Sequence, residues 1–408
     1  MQNSCKTGQS YNSKQAKNVS FSNDKDLVEM DVRAYHLNDS MTKIFYRIST
    51  ENLMFKRVDT SQVFFANIHV ACKLIPDINS RTIIDSTSTG IEIKFPEPGE
   101  RKYIESNFVL KVKPTAYGYL DFWMIDKNKN LKHTNPISIN KTNESVAQYY
   151  LTYQNGALVY KNTFFKTDEI KIESKVNAGK TLYVDCFLKD FGLALPPFSV
   201  VKTDDLKYIP DSTFSLNLNT NSILKMASKG FYHLKTSNES FDGLSLFTFE
   251  KSYPGVSDID EMIKSTRYIM NKSEFDACIN STDKKQSIDN FWLAIGGSNE
   301  RAKELLRKYY GRVKSANKQF SSYLQGWKTD RGMISIVFGE PTNSYKSKTE
   351  EIWFYGVESD INSIKFIFKK TDNPFSENDF ILQRSSIYQT PWYDVVDFWR
   401  QGRILLEK

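Results

Sequence analysis

The spacing of apolar residues changes at Ser257, and this change limits the folds available to the chain. In residues 27–255, apolar and polar residues alternate every two positions in blocks that end at Asn, Asp, Pro and Gly. After Ser257, apolar residues such as Ile259 and Ile263 recur at helical spacing. Alternation predicts half-buried strands, and the second pattern predicts amphipathic helices. We therefore expect a mainly β chain with an α+β C-terminal domain.

The length of 408 residues is too great for one ordinary hydrophobic core. The strand blocks have the spacing of β-sandwiches, and Asn155-Gly156 is a hairpin signal inside the second set. Residues 126–143, rich in Lys and Asn, indicate a linker. The expected parts are a flexible N-terminal tether at 1–25, a β-sandwich at 26–128, a second β-sandwich at 144–255 and an α+β domain at 257–408, in which helices pack on an antiparallel sheet.

The C-terminal domain is predicted to contain a long helix of about seven turns. Its apolar stripe runs from Leu305 to Tyr323, with Lys and Arg on the opposite side. A last amphipathic helix carries Trp392 and Trp399 and ends at Gly402. The strands expected between these helices are 333–338, 351–355, 364–368 and 379–382.

A dense motif, Gly326-Trp327-Lys328-Thr329-Asp330-Arg331-Gly332, joins the long helix to the first expected strand. Gly326 is expected to end the helix with a positive φ, and Trp327 to fold back beneath it. Thr329 and Asp330 are expected to accept backbone N–H bonds across the turn. Gly332 lets the chain enter the strand closely.

The acid of this motif needs a basic partner. We expect Asp330 to form a bidentate pair with Arg331, Arg400 or Arg403, which would lock the helix to the sheet. The apolar loop Leu193–Pro197, which ends in two prolines, is predicted to be a packing contact between domains.

The C-terminal region resembles the GWxTD domain family of bacteria, typical of Bacteroidota. Gly326–Asp330 meets the name-giving pattern in full. The resemblance covers roughly residues 258–408 and leaves both β domains outside it. The accompanying segments are Tyr309–Val313, Gly332–Pro341, Glu351–Tyr355 and Trp399–Arg403. What the resemblance implies is a lineage and a compartment rather than an activity.

Signals of catalysis are absent from the sequence. There is no Gly-rich phosphate loop, no G-x-S-x-G and no H-E-x-x-H. The histidines are scattered singly, which favours structural roles over metal binding; they are His36, His69, His133 and His233. We therefore expect no catalytic residues, metal or cofactor. A hydrolase centred on Asp330 and Glu340 is kept as an alternative.

The net charge of +7 comes from 55 basic and 48 acidic residues, without a run of Lys or Arg that would grip a phosphate backbone. We expect no nucleic-acid partner. No stretch approaches the ~18 uninterrupted apolar residues of a membrane-spanning helix.

Cys5 follows a serine and precedes a polar linker, a pattern typical of a lipidated cysteine. The apolar segment that precedes such a cysteine is not in this sequence, so either the chain begins further upstream or Cys5 is incidental. We favour a lipid anchor. Surface-exported lipoproteins of Bacteroidota resemble one another in having acids after the cysteine, and residues 6–9 have none. The expected location is the periplasmic side of the outer membrane.

The function expected from these patterns is that of a non-enzymatic subunit of an outer-membrane protein complex, containing a barrel or other lipoproteins. An envelope glycan- or peptidoglycan-binding protein is the alternative, because aromatic side chains of the second sandwich or of the last domain can line a sugar groove. The residues predicted to interact are Trp353, Trp392, Trp399, Arg400 and Arg403.

Overall fold

The computed structural model of the chain describes residues 17–18, 28–57, 63–78, 80–95, 102–201, 208–219 and 222–403. Cys5, the predicted lipidation site, lies outside these residues. Strand β1 (Lys17–Asn18) pairs with the sheet of the C-terminal domain. Within the described ranges, the helices are too short or too polar to cross a bilayer.

The first sandwich consists of a three-stranded and a six-stranded sheet. Their inner faces share one core, in which the rings of Tyr46 and Phe122 lie 5.4 Å apart across the two sheets. The three-stranded sheet has the order β2 (Met30–His36), β3 (Met41–Ser49), β7 (Tyr103–Lys111). The other contains β4 (Lys56–Arg57), β5 (Phe64–Ile75), β6 (Asp85–Phe95), β8 (Tyr117–Asp126), β9 (Leu131–Thr134) and β10 (Ile137–Asn140), with β5 and β8 at its centre.

The linker predicted at 126–143 is wrong, because this stretch contains the end of β8 and the strands β9 and β10. Both strands pair antiparallel with β8 on the edge that faces away from β5, at opposite ends of that strand. Lys and Asn are common there because the strands are short and their side chains are partly solvent-exposed. Composition alone therefore does not distinguish a polar edge strand from a linker.

The second sandwich packs a four-stranded sheet on a five-stranded one. Ile170 and Ile172 of one sheet and Leu182 and Val184 of the other belong to one core. The first sheet has the order β12 (Ala157–Leu158), β11 (Leu151–Gln154), β14 (Glu169–Glu173), β17 (Ile223–Lys225). The second has the order β13 (Thr163–Phe165), β19 (Gly243–Phe249), β18 (Gly230–Lys235), β15 (Thr181–Phe187), β16 (Ser212–Asn217), and only its β13–β19 pairing is parallel.

The C-terminal domain packs helices on one face of an antiparallel sheet. The helices are α1 (Ile259–Thr266), α2 (Lys272–Ile279), α3 (Lys284–Gly296), α4 (Asn299–Phe320), α5 (Asp330–Phe338) and α6 (Gln389–Arg400). The sheet has the order β1, β20 (Asn343–Lys346), β21 (Glu350–Tyr355), β22 (Ile364–Lys370), β23 (Phe380–Leu382). Three 3-10 helices complete the described elements: Ala147–Tyr149, Gly326–Lys328 and Ser386–Tyr388. The predicted fold class, two tandem β-sandwiches followed by an α+β domain, is confirmed.

The strand predicted at 333–338 is wrong, since these residues belong to α5. All nine residues of α5 are buried, so the helix is apolar on every side because it runs through the middle of the domain. Thr329 caps its first turn, and Gly339, with φ of 87°, follows its last residue. These are the start and stop signals of a helix, and they prevail over the β-branched residues between them.

Candidate functional site

The Gly326–Gly332 motif fills the space between α4 and α5. The long helix ends at Phe320, six residues before the expected end, and Gly326 does not adopt the positive φ predicted for it. A Cβ atom at Gly326 would lie 1.9 Å from the Ala316 carbonyl oxygen, and one at Gly332 would lie 1.8 Å from the Gly326 oxygen. The two glycines are therefore required by close backbone approach.

Trp327 is fully buried beneath α4, as predicted. Its indole Nε1 donates to Gln325 Oε1 over 2.8 Å, and its carbonyl oxygen accepts from the hydroxyl of Tyr268 over 2.8 Å. Its backbone N–H donates to Asn317 Oδ1 of α4 over 3.1 Å. The polar atoms of this tryptophan are thus bonded within the domain.

Thr329 is the N-cap of α5. Its hydroxyl oxygen accepts from the Gly332 N–H over 3.1 Å and donates to the Gly326 carbonyl over 2.8 Å. The predicted role of Thr329 as an acceptor of a backbone N–H is confirmed. Because the hydroxyl is used twice and is buried, it serves the turn rather than a substrate.

Asp330 joins the first turn of α5 to the chain after β23. Its Oδ2 accepts from the Leu382 N–H over 2.7 Å, which confirms the predicted backbone bond. Arg384 donates to Oδ1 over 2.5 Å and to Oδ2 over 3.1 Å. The same guanidinium donates to the Leu195 carbonyl over 3.1 Å. Asp330 therefore orients an arginine that reaches the second sandwich.

The predicted partners of Asp330 are wrong, because each of those arginines lies elsewhere. Arg331 donates to Glu351 Oε2 over 2.8 Å in the domain core. Arg400 forms a two-bond pair with Glu274 of α2. Arg403 is exposed. Asp330 does form a bidentate pair with an arginine, as predicted, but that arginine is Arg384.

The Arg331–Glu351 pair is one of the most deeply buried ion pairs of the described structure, since both side chains are 3% exposed. Glu351 Oε1 accepts from the indole Nε1 of Trp353 over 2.8 Å. Arg331 also donates to Asn378 Oδ1 over 2.6 Å. Such additional hydrogen bonds are what allow a buried pair to offset its desolvation.

Burial acts in the same direction on these two acids, yet their pKa values move oppositely. Desolvation raises the pKa of Asp330, and the charge and hydrogen bonds of Arg384 offset only part of this effect. Desolvation would also raise the pKa of Glu351, but the Arg331 and Lys346 charges and the Trp353 N–H outweigh it. The pKa of Glu351 is therefore lowered below its ordinary value.

The loop at residues 188–198, which we name the 190s loop, connects the second sandwich to this motif. The Ala194 N–H donates to the Lys328 carbonyl over 3.1 Å, and the Ser385 N–H donates to the Pro197 carbonyl over 3.1 Å. Asp190 pairs with Lys328 over 2.5 Å. The predicted role of Leu193–Pro197 as a packing contact between domains is confirmed.

An aromatic cluster forms the second contact between these two modules. Phe187 and Phe231 of the second sandwich stack at 4.4 Å between ring centroids. Phe231 lies 4.9 Å from Phe375 and 6.1 Å from Tyr323, both of the C-terminal domain. The four rings are buried together. Polar bonds on the 190s loop and apolar contacts at this cluster therefore fix the same two modules.

Cavities flank the 190s loop on both sides. One, of about 390 Å³, is lined by Asp330, Arg384 and Tyr323. A wider groove, of about 640 Å³, runs between the loop and α6 and is lined by Trp392 and Arg400. These two residues are the predicted interaction residues that border open space.

The other predicted interaction residues do not form an aromatic platform. Trp353 is 0% exposed and Trp399 is 2% exposed. The indole Nε1 of Trp399 donates to the Val337 carbonyl over 3.0 Å. Even Trp392 is 5% exposed, so its ring is mostly core. A glycan platform on these tryptophans is wrong, because the helices over the sheet cover their faces.

The two acids of the hydrolase alternative lie at opposite ends of α5. Asp330 begins this nine-residue helix, and Glu340 comes two residues after its end, a separation of about 15 Å along the axis. Paired carboxylates in hydrolysis lie within about 10 Å. In the parts of the chain that the structure describes, no three His, Cys, Asp or Glu side chains converge as metal ligands. Burial lowers the pKa of His36 and of His233 to about 4.

Sequence reasoning missed Arg384, Glu351 and the reach of the 190s loop. Glu351 had a signal, because it lies two residues before Trp353 in a strand and therefore shares its inward face. Arg384 had none, since its partner is distant in sequence and nothing in its spacing distinguishes it from other exposed-looking arginines. The site is thus a joint between modules built around a buried helix.

Comparison with known proteins identifies the domain that carries the motif. Residues 230–401 match the family model of the GWxTD domain. The C-terminal region of this chain is a GWxTD domain, as its motif predicted. The match begins at Gly230, earlier than the expected residue 258, and so includes β18 and β19.

No curated protein matches the chain. A solved structure titled "Biofilm associated protein - BSP domain" is 10% identical to it, with a TM-score of 0.17. The match covers 58% of this chain and 54% of that one. At this TM-score the likeness carries no argument about fold or function.

Proposed function

We propose that the protein is a non-enzymatic subunit of an outer-membrane protein assembly in a Bacteroidota-type bacterium, anchored by a lipid on Cys5 at the periplasmic side. The observation that carries this proposal is the use of the motif. Thr329, Asp330 and Arg331 are all bonded inside the protein, and Asp330 orients the arginine that bonds the 190s loop. The motif residues are therefore occupied within the protein, and Asp330 among them helps to hold two modules together.

The arrangement of the modules supports a scaffold. Arg33 of the first sandwich donates to Thr152 of the second over 2.9 Å. Lys348 of the GWxTD domain lies 5.1 Å from the ring of Tyr117 in the first sandwich. With the 190s loop, each module contacts the other two. A body joined at three places presents fixed surfaces to partners, which suits a subunit of an assembly.

The test is affinity purification of the tagged protein from a mildly solubilised envelope. We expect an outer-membrane barrel or another lipoprotein to co-purify, and mass spectrometry to find a lipid on Cys5. Arg384→Ala, which removes the arginine of the joint, should lower partner recovery. Arg307→Ala removes an exposed arginine of the same domain that is not among the predicted interaction residues, and it should leave recovery unchanged. Repeated recovery of the protein alone would contradict the proposal.

Two further measurements distinguish this function from exposure at the cell surface and from binding of an envelope polymer. Protease treatment of intact cells should leave the protein uncut if it faces the periplasm. Retention on isolated peptidoglycan, with no co-purifying protein, would instead favour binding of an envelope polymer.

A further inference from the structure

Strand β1 places the N-terminal segment on the C-terminal sheet. Lys17 pairs with Lys346, and Asn18 pairs with Tyr345, in an antiparallel register. Without this pairing, β20 would be the edge of the sheet and would present unpaired backbone groups. Two segments more than 320 residues apart in the sequence therefore meet in one sheet.

The rest of the chain path agrees with this meeting. From Asn18 to Val28, where the first sandwich begins, ten residues reach at most about 35 Å. The first sandwich lies close to the sheet, because Lys348, in the turn after β20, lies 5.1 Å from the ring of Tyr117. The ten positions from Asn18 to Val28 are therefore enough for β1 to pair with β20 while Val28 lies in the first sandwich.

We propose that β1 clasps the edge of the C-terminal sheet and so holds the GWxTD domain, the last module of the chain, next to the membrane. This inference rests on the proposed anchor at Cys5. Lys17 lies twelve positions after Cys5, and a chain of that length reaches at most about 40 Å. If β1 were free, the anchor would act on Val28 through 23 residues, with a reach of about 80 Å.

The pairing itself is tested by engineered disulfides in full-length protein. Opposite residues of antiparallel strands have Cα atoms about 4.5–5.5 Å apart, within the range of a disulfide. Lys17→Cys with Lys346→Cys should therefore cross-link within one chain on mild oxidation. The background carries Cys5→Ser, because the remaining thiols, Cys72, Cys186 and Cys278, are buried.

The matched control is Lys17→Cys with Asn343→Cys, which moves one thiol three residues, or about 10 Å, along β20. We expect little cross-linking in the control. Equal cross-linking in both pairs, or none in the first, would overturn the pairing.

The consequence at the membrane is tested with a maleimide lipid attached to Cys5 and vesicles that carry an acceptor-labelled lipid. A fluorescent amino acid replaces Ile361, which is 97% exposed in the GWxTD domain, or Lys127, at the end of β8 far from Tyr117. Energy transfer should be greater from position 361. Lys17→Pro with Asn18→Pro, which removes both N–H donors, should abolish that difference.

Two prolines at Gln9 and Ser10 form the control, since they stiffen the same tether without touching β1. Transfer that is equal at both positions in the native sequence, or unchanged by prolines at 17 and 18, would refute the clasp. The maleimide lipid makes this result independent of natural lipidation. A chain without lipid on Cys5 in cells would therefore count against the proposed anchor but not against the pairing.

Discussion

Asp330 and Arg331 are neighbours in the chain, but each belongs to a different region of the molecule. Asp330 faces the joint, where Arg384 links it to the 190s loop. Arg331 faces the core, where it bonds Glu351. Asp330 and Arg331 are both buried, yet the two groups differ in one respect. A carboxylate that loses its partner can take a proton, whereas a guanidinium stays charged.

The joint should therefore tolerate the loss of one partner of its ion pair better than the core does. Loss of Arg384 leaves Asp330, whose pKa is already raised by desolvation and which neutralises readily. Loss of Glu351 leaves Arg331 charged at 3% exposure. Loss of one partner therefore has different energetic consequences in the two ion pairs, and variants of each pair measure that difference.

The largest effect is expected from Glu351→Gln. It leaves Arg331 buried without a negative charge, which should lower the free energy of unfolding of the GWxTD domain by about 3–5 kcal/mol. Denaturant unfolding followed by tryptophan fluorescence measures it, because the only tryptophan outside this domain is Trp123. Glu350→Gln alters the adjacent acid, which pairs with Lys369 at the surface, and should cost under about 1 kcal/mol. Equal losses of stability in Glu351→Gln and Glu350→Gln would contradict a special role for the buried pair.

Arg384→Met should cost less, about 1–3 kcal/mol at neutral pH. Asp330 then loses its partner but keeps the Leu382 N–H, and it can bind a proton. The loss should shrink as the pH is lowered towards 4, measured as the difference in unfolding free energy from the native sequence. In an Asp330→Asn background, the loss caused by Arg384→Met, measured against the Asp330→Asn variant, should be independent of pH. A loss as large as that of Glu351→Gln would show that the joint is as rigid as the core.

Opposite pH slopes are expected from the two acids. The pKa of Glu351 is lowered in the folded state, so its stabilisation is complete above its ordinary pKa of about 4.3 and is lost as the pH falls through the lowered value. The pKa of Asp330 is raised, so between about 3.9 and the raised value the folded state holds a proton that the unfolded state has released. Stability then falls as the pH rises through that interval.

These slopes are read from unfolding free energies of Glu351→Gln and Asp330→Asn across pH 3–6. The deficit of Glu351→Gln should narrow below pH 4, whereas the native sequence should lose stability relative to Asp330→Asn as the pH rises. Each slope is at most about 1.4 kcal/mol per pH unit. Slopes of the same sign would contradict the assignment of the two pKa directions.

The smallest effect is expected from Asp190→Asn at the outer side of the joint. Asp190 is 61% exposed and pairs with Lys328 and Lys264. Its loss should cost under about 1 kcal/mol and should disappear in 1 M salt, which screens exposed charges. Hydrogen exchange at the Ala194 amide reports the loosening of the loop. A cost that persists in high salt would mean that this pair is shielded from solvent ions, as the Arg331–Glu351 pair is.

Much of the fold follows from periodicity and turn residues. Two-residue alternation indicates both sandwiches, and the caps of α3 and α4, at Asp283 and Ser298, follow the sequence signals of helix starts. The identity of the motif also predicts a GWxTD domain before any coordinates. These features are local, since each depends on residues within a few positions of one another.

What sequence did not reveal depends on contacts distant along the chain. α5 resembles a strand because a helix buried on every side carries no amphipathic pattern. Gly326 resembles a helix stop, but its requirement is the approach of Ala316 from the preceding helix. Arg384 lies 54 residues from Asp330. Such pairings are determined by the topology of the fold, and the pattern of a single sequence does not predict them.

The aromatic cluster bears on where the GWxTD domain begins. Strands β18 and β19 are hydrogen-bonded into the second sandwich, but the family match begins at Gly230 and includes both. Phe231, on β18, packs against Phe375 at 4.9 Å. The region that the family model matches thus cuts across the sheet that the backbone completes. A gene fusion made at Ser257, where the pattern of the sequence changes, would separate Phe231 from Phe375, the ring that packs against it.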